Sequence, residues 1–234
     1  LTVTMDQVKN LTFTSLTPIK SFTVSEWLDT DDDPDQLIAP WVNILRSKGN
    51  RLPGAGVDGD FEAGLVLSGV GAPRYTLGTA KIYGDLGSGD TGGPGDSVEW
   101  DITGDVKTID ASKGTVEGWT LDLHSSIKTL KLGLVEQAEV SVGNATTVSA
   151  SQWNQGGITG ASIKKFTTKA NRKLAGADGD VKVALTLTGI SNVSTLGIAK
   201  VAGDLGSGDA DNPIEWDITG DASRIDASKG TVEG

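Results

Sequence analysis

The stretch DTDDDPD places Asp29, Asp31, Asp33 and Asp35 at every second position, with Asp32 between them. Alternating carboxylates in a loop offer several hard oxygen ligands at once, the donor set that Ca²⁺ prefers. The stretch lacks the glycine at position six and the distal glutamate of an EF-hand loop, and SQWNQGG stands in its place later in the chain. Two readings stay open: a Ca²⁺ site built from Asp29, Asp31, Asp33 and Asp35, with Ca²⁺ as the cofactor, or an exposed acidic loop.

Other aspartates come in matched sets: Asp58 and Asp60 with Asp178 and Asp180, Asp85 and Asp90 with Asp204 and Asp209, Asp101 and Asp105 with Asp217 and Asp221. Asp-Gly turns account for most of them without a metal. GGPGDSV approaches a glycine-rich Ca²⁺-binding nonapeptide, but its aspartate is one position displaced. Carboxylates gathered in one groove with a basic proton acceptor could cleave a polysaccharide. Here the arginines are few and scattered (Arg46, Arg51, Arg74, Arg172, Arg224), and the carboxylates are duplicated where an active site is normally unique. His124 is the single histidine, so the chain alone cannot assemble a histidine-based triad or zinc site. The expectation is a protein that is not an enzyme, with no catalytic residues.

Composition narrows the class. With 37% hydrophobic residues among 234, the chain can bury a core. A net charge of −11 repels phosphate backbones and argues against nucleic-acid partners, while suiting cations and solubility. Cysteine is absent. A repeat array with a continuous core needs no disulfides, so this fits either side of a membrane. No apolar run approaches the length of a membrane span, so membrane insertion is not expected. The opening LTVTMDQVKN reads as a mature or excised piece, and neither end carries the polar cap expected of a stacked repeat.

The positioning elements emerge from repetition. VEWDITGDVKTIDASKGTVEG, ending at Gly118, returns as IEWDITGDASRIDASKGTVEG at the end of the chain. KIYGDLGSGD returns as KVAGDLGSGD, and VDGDFEAGLVLSGV as ADGDVKVALTLTGI. The chain therefore divides into two homologous copies, residues 1–118 and 119–234, each expected to form about five rungs, the second continuous with the first. Within each copy a shorter phrase recurs: apolar, two variable, apolar, variable, apolar. It is carried by Val8, Leu11 and Phe13; Ile19, Phe22 and Val24; Val42 and Leu45; Leu77, Ala80 and Ile82; and Val106, Ile109 and Ala111. The second copy repeats it at Ile127, Leu130 and Leu132; Ala145, Val148 and Ala150; Ile163 and Phe166; Leu196, Ala199 and Val201; and Ala222, Ile225 and Ala227.

Its closing alternation is strand periodicity. Further strand signals sit at Trp100-x-Ile102, Trp119-x-Leu121-x-Leu123, Val140-x-Val142 and from Val181 to Leu187, with glycine, aspartate and asparagine at the junctions. A helical or loop insertion is expected around Leu37–Leu45. These features predict an all-β fold, a parallel β-helix or β-solenoid of about ten irregular rungs, with Ile, Leu, Val and Phe stacked inside and Lys, Thr and Ser outside. The alternative is two tandem antiparallel β-sandwich domains, which explains the duplication equally well.

The phrases ITGDVKTIDASKGTVEGWTL and IKTLKLG resemble the degenerate rungs of parallel β-helix repeat regions found in large secreted and cell-surface proteins of bacteria. The resemblance covers most of the chain. It implies a structural, non-catalytic segment of an extracellular fibre, surface layer, matrix or adhesin stalk. The implied partners are further repeats of the same parent chain, or copies of itself in a fibre or lattice, with glycans as a further class. The other implied function is a carbohydrate-binding or polysaccharide-degrading β-helix. Trp27, Trp100, Trp119, Trp153 and Trp216 recur at rung positions and are expected in core or corner packing; Trp41 has no counterpart and is the candidate for a special contact. Sequons at Asn10, Asn144 and Asn192 would permit glycosylation of a secreted chain.

Overall fold

The computed structural model describes residues 1–31, 35–49, 56–87, 97–189, 194–206 and 213–232. It is all-β, and a large parallel sheet of 10 strands curls through 297° as an open half-barrel. All strand pairings among the described residues are parallel. The tandem antiparallel sandwich is thereby excluded.

The recurrent phrase forms one continuous ladder. Val3, Phe22, Leu45, Ala80, Ile109, Leu130, Val148, Phe166, Ala199 and Ile225 each pair with the next in the series. The first apolar residue of the phrase makes a parallel column, from Ile19 through Val42, Leu77, Val106, Ile127, Ala145, Ile163 and Leu196 to Ala222. A second ladder runs Phe13, Leu37, Leu65, Trp100, Leu121, Val140, Ile158, Leu185, Trp216. A third, made largely of single bridges, runs Val8, Trp27, Phe61, Leu86, Val116, Val135, Trp153, Val181, Leu205, Val232. The chain visits the first ladder, then the third, then the second, and returns to the first one layer further on.

Alternation then does the sorting. In Ala138–Ala150 the inward residues Val140, Val142, Ala145, Val148 and Ala150 are buried while their neighbours face out. The inward residues of all layers merge into one cluster from Val8 to Val201, unbroken across the junction at Gly118. An aromatic chain threads it, Phe13–Phe22–Trp27–Phe61–Trp100–Trp119, with ring centroids 5.4 to 5.9 Å apart. Such contacts add to the area term when the rings meet edge-to-face or offset.

Two local expectations are corrected. The stretch Leu37–Leu45 is neither helix nor insertion: Gln36–Ala39 and Val42–Ser47 are strands on different ladders. Pro40 between them lacks the N–H a continuing ladder needs, so the chain turns there. The phrase at Val8, Leu11 and Phe13 does not lie on the ladder of the other nine, because Val8 is on the third ladder and Phe13 on the second. Val3 fills that layer's place instead.

Replacing Leu130, fully buried between Ile109 and Val148, by alanine removes apolar contact to two layers at once. The expected loss is about 2–5 kcal/mol, read as a lowered midpoint in urea denaturation. Lys131→Ala, one residue along on the outer face, should leave the midpoint nearly unchanged.

Candidate functional site

Four of the duplicated aspartates are inter-layer clips. Asp60 Oδ1 accepts the Asp85 backbone N–H at 2.7 Å, and Asp85 Oδ1 accepts that of Thr115 at 2.6 Å. The second copy repeats both contacts: Asp180 Oδ1 accepts from Asp204 N–H at 2.8 Å, and Asp204 Oδ1 from Thr231 N–H at 2.6 Å. Each carboxylate thus satisfies a corner N–H of the following layer, a charge-assisted bond at the place where ladder pairing lapses. The close approach explains Gly84 and Gly203: a Cβ on either would collide with the carboxylate below it. Gly59 and Gly179 hold the preceding turn at φ 95° and 97°, where any other residue is strained.

Further clips are matched pair by pair. Ser47 and Thr168 hydroxyls donate to the carbonyls of Gly59 and Gly179. Thr76 and Thr195 donate to Thr103 and Thr219, and the indole N–H groups of Trp100 and Trp216 to Ala63 and Val183. These partners were missed in the sequence, although Ser47/Thr168 and Thr76/Thr195 occupy corresponding places in the two copies.

The first copy departs from the second at one corner. Glu26 is buried, accepting from Gln7 Nε2 at 3.1 Å and from the Asp58 N–H at 3.2 Å. In the second copy Gln152 takes this position and accepts from the Asp178 N–H at 2.7 Å. Glu62, whose carboxylate accepts the Asp29 N–H at 2.9 Å, is matched by Lys182. Burial pushes the Asp60 carboxyl above its usual range, against the bond from Asp85 N–H, and the charges of Asp85, Glu26 and Asp58 push the same way. Burial also raises Glu62, with Asp60, Asp29 and Glu26 adding repulsion.

Of the aspartates considered for Ca²⁺, Asp29 bonds along its own loop, to the N–H groups of Asp31 and Asp35 at 3.4 and 3.3 Å. Asp35 turns inward, 4% exposed, and its Oδ2 accepts the Trp27 indole N–H at 3.0 Å; burial raises its pKa. Asp33 lies outside the described residues, as do Asp32, Asp90, Asp209, Asn192, Arg51 and most of GGPGDSV. Among the described residues no group of three or more His, Cys, Asp or Glu is placed to hold a metal.

Asp101 and Asp105 also reach the next layer. Asp101 lies 3.1 Å from the exposed His124 ring, and Asp105 accepts from the Ser125 hydroxyl at 2.5 Å. Trp27, Trp100, Trp119 and Trp153 are fully buried, as core packing requires. Trp41 sits half-buried at a corner, its indole N–H without a hydrogen-bond partner. Asn10 and Asn144 use their side-chain carbonyls within the fold, accepting from Thr30 and Ser162 respectively.

No family model matches the chain, and neither does any curated protein or solved structure.

Two outcomes follow. Asp85→Ala leaves the corner N–H of Thr115 without its acceptor and should lower stability by about 1–3 kcal/mol; Asp85→Asn, which keeps an acceptor oxygen, should lose less in the same denaturant titration. For Asp60 and Glu62 the folded chain holds its protons more tightly than the unfolded one. Their contribution is complete below the ordinary values of 3.8 and 4.5 and is lost as pH rises through the raised ones. Asp60→Asn combined with Glu62→Gln should flatten the fall in thermal midpoint between mildly acidic and neutral pH, and raise the midpoint at neutral pH.

Proposed function

We propose that the chain is a β-solenoid of ten coils, two continuous copies of five, serving as a rigid structural segment of a larger extracellular or cell-surface protein rather than as an enzyme. The observation that carries this reading is the column from Val3 to Ile225, with one apolar residue in each of ten layers and no break between the copies. Such stacking gives length and stiffness, because each layer is held by backbone bonds and a shared core on both sides. Many of the short polar contacts between layers are duplicated scaffold clips, which supports a mechanical role over a unique reaction centre.

The last described layers keep the apolar pattern of their counterparts in the first copy. Ile225 is 47% exposed, whereas its counterpart Ile109 is fully buried beneath the strand Trp119–Val135. Val232 is exposed where Val116 is buried. A further parallel layer, from another repeat or another copy, would bury this face as Trp119–Val135 does in the first copy. The stack should measure about 45 Å along its axis at about 4.8 Å per layer. Small-angle scattering should show a particle elongated along the stacking axis. A compact spherical particle would count against the proposal.

A further inference from the structure

The outer face of the first ladder has a charge opposite to that of the molecule. The stretches that form this ladder and its immediate ends are residues 2–4, 19–24, 42–48, 77–82, 106–113, 127–132, 145–150, 163–169, 196–201 and 222–226. They contain thirteen lysines and arginines against two acids, Asp110 and Asp226. These stretches carry +11 in a chain of net charge −11, so the remainder carries −22. Twelve of the thirteen basic residues are exposed. Apart from His124, Arg224 is the one basic residue in an ion pair among the described residues, with Asp226 at 2.7 Å. Among the described residues no carboxylate forms an ion pair with the others.

Register brings four of these cations, Arg46, Lys81, Lys131 and Lys200, into one column that also holds Asp110 and ends at Asp226. Arg46, Lys81, Asp110, Lys131, Ser149, Thr167 and Lys200 occupy one outward column, each paired with the next. At one end the ammonium groups of Lys81 and Lys113 lie 5.0 and 4.0 Å from the Tyr83 ring centroid. The Lys81 hydrogen bond and charge hold the Tyr83 phenol below its usual pKa, with Lys113 and Arg46 adding to the effect. In the middle of the face is a cleft of about 540 Å³, lined among others by Lys131, Lys165, Lys169, Thr147, Ser149 and Thr167. Its rim is the excursion after Lys169, closed by the Asn171 N–H to Ala177 carbonyl bond at 2.9 Å. Leu174 of this excursion lies over Gly133, two layers back.

We infer that this cleft and column form a binding site for a linear anionic polysaccharide bearing carboxylate or sulfate groups. The lysines supply mobile charge, and the Thr147 hydroxyl on the floor is of a type that both donates to and accepts from sugar hydroxyls. The layer spacing of about 4.8 Å is comparable with the length of a sugar residue, so cations one or two layers apart meet successive anionic groups. The cleft lining includes no aromatic side chain, so it lacks the stacking platform that single-stranded nucleic acid uses. Its raised rim suits a narrow chain better than the flat wall of a second copy.

The test measures binding of alginate, dextran sulfate and neutral dextran to the full chain by calorimetry at low and high salt. Alginate and dextran sulfate should bind at low salt and weaken as salt screens the charges, and neutral dextran should not bind. Lys131→Glu with Lys165→Glu and Lys169→Glu should weaken binding about tenfold or more, while Lys9→Glu with Lys182→Glu and Lys229→Glu, which changes net charge equally, should not. The three-glutamine version of the cleft variant should fall between, and circular dichroism melts should show all variants folded. Absence of binding to both anionic polymers would overturn the proposal. So would equal loss in the two charge-matched variants, or equally tight binding of single-stranded DNA. Loss of self-association in the cleft variant with polysaccharide binding intact would assign the face to a second copy and would also overturn it.

Discussion

Parallel in-register stacking is the constraint on which everything else rests. A layer of this chain has neither a sheet nor a core of its own: its backbone N–H and C=O groups are paired above and below, and its apolar residues touch those of the adjoining layers. Each position must therefore be compatible with the same position one layer away. That is why the columns remain apolar from Val3 to Ile225 while the exact residue varies between Ala and Phe. Small members of the column such as Ala80 and Ala199 share the interior with bulky ones, Phe166 in the same column and Trp100 on the second ladder.

The corners are the complementary problem. Walls satisfy their own backbone, but at several corners the ladder lapses to a single bridge, as at Phe61, Leu86, Val181 and Leu205. Side-chain oxygens take over there. Asp60, Asp85, Asp180 and Asp204 accept N–H groups of the next layer, with glycine opposite because no Cβ can be accommodated. Many of the acidic residues that suggest cation chemistry in the sequence are thus committed to corners. The Glu26, Asp60 and Glu62 corner carries repulsion that the second copy avoids with Gln152 and Lys182.

Corner acids and wall cations together explain the charge partition. Aspartate is selected at turns, where its carboxylate meets free N–H groups. Outward wall positions instead accept long side chains whose stems lie along the sheet while their charged ends reach water. The result is a basic wall on an acidic body, a pattern that the net charge of −11 conceals.

The all-β class, the duplication and nine of the ten wall phrases were legible in the sequence, because an alternating pattern with a fixed bend repeats only when each repeat meets the same surroundings. The inward direction of Ile109, Leu130 and Val148 followed from that pattern alone. The phrase at Val8–Phe13 was misplaced, since apolar spacing reads the same on one wall as around a corner, and only pairing partners distinguish the two. Leu37–Leu45 was misread for a related reason: two short strands on either side of Pro40 leave no long alternation to detect. Tertiary structure alone decided that Asp35 faces the Trp27 indole, that Asp85 clips Thr115 thirty residues away, and that Lys131, Lys165 and Lys169 share one cleft. Local pattern determines which way a side chain points, but what it meets there is set by the residue one or two layers away, at a sequence distance that varies with every loop.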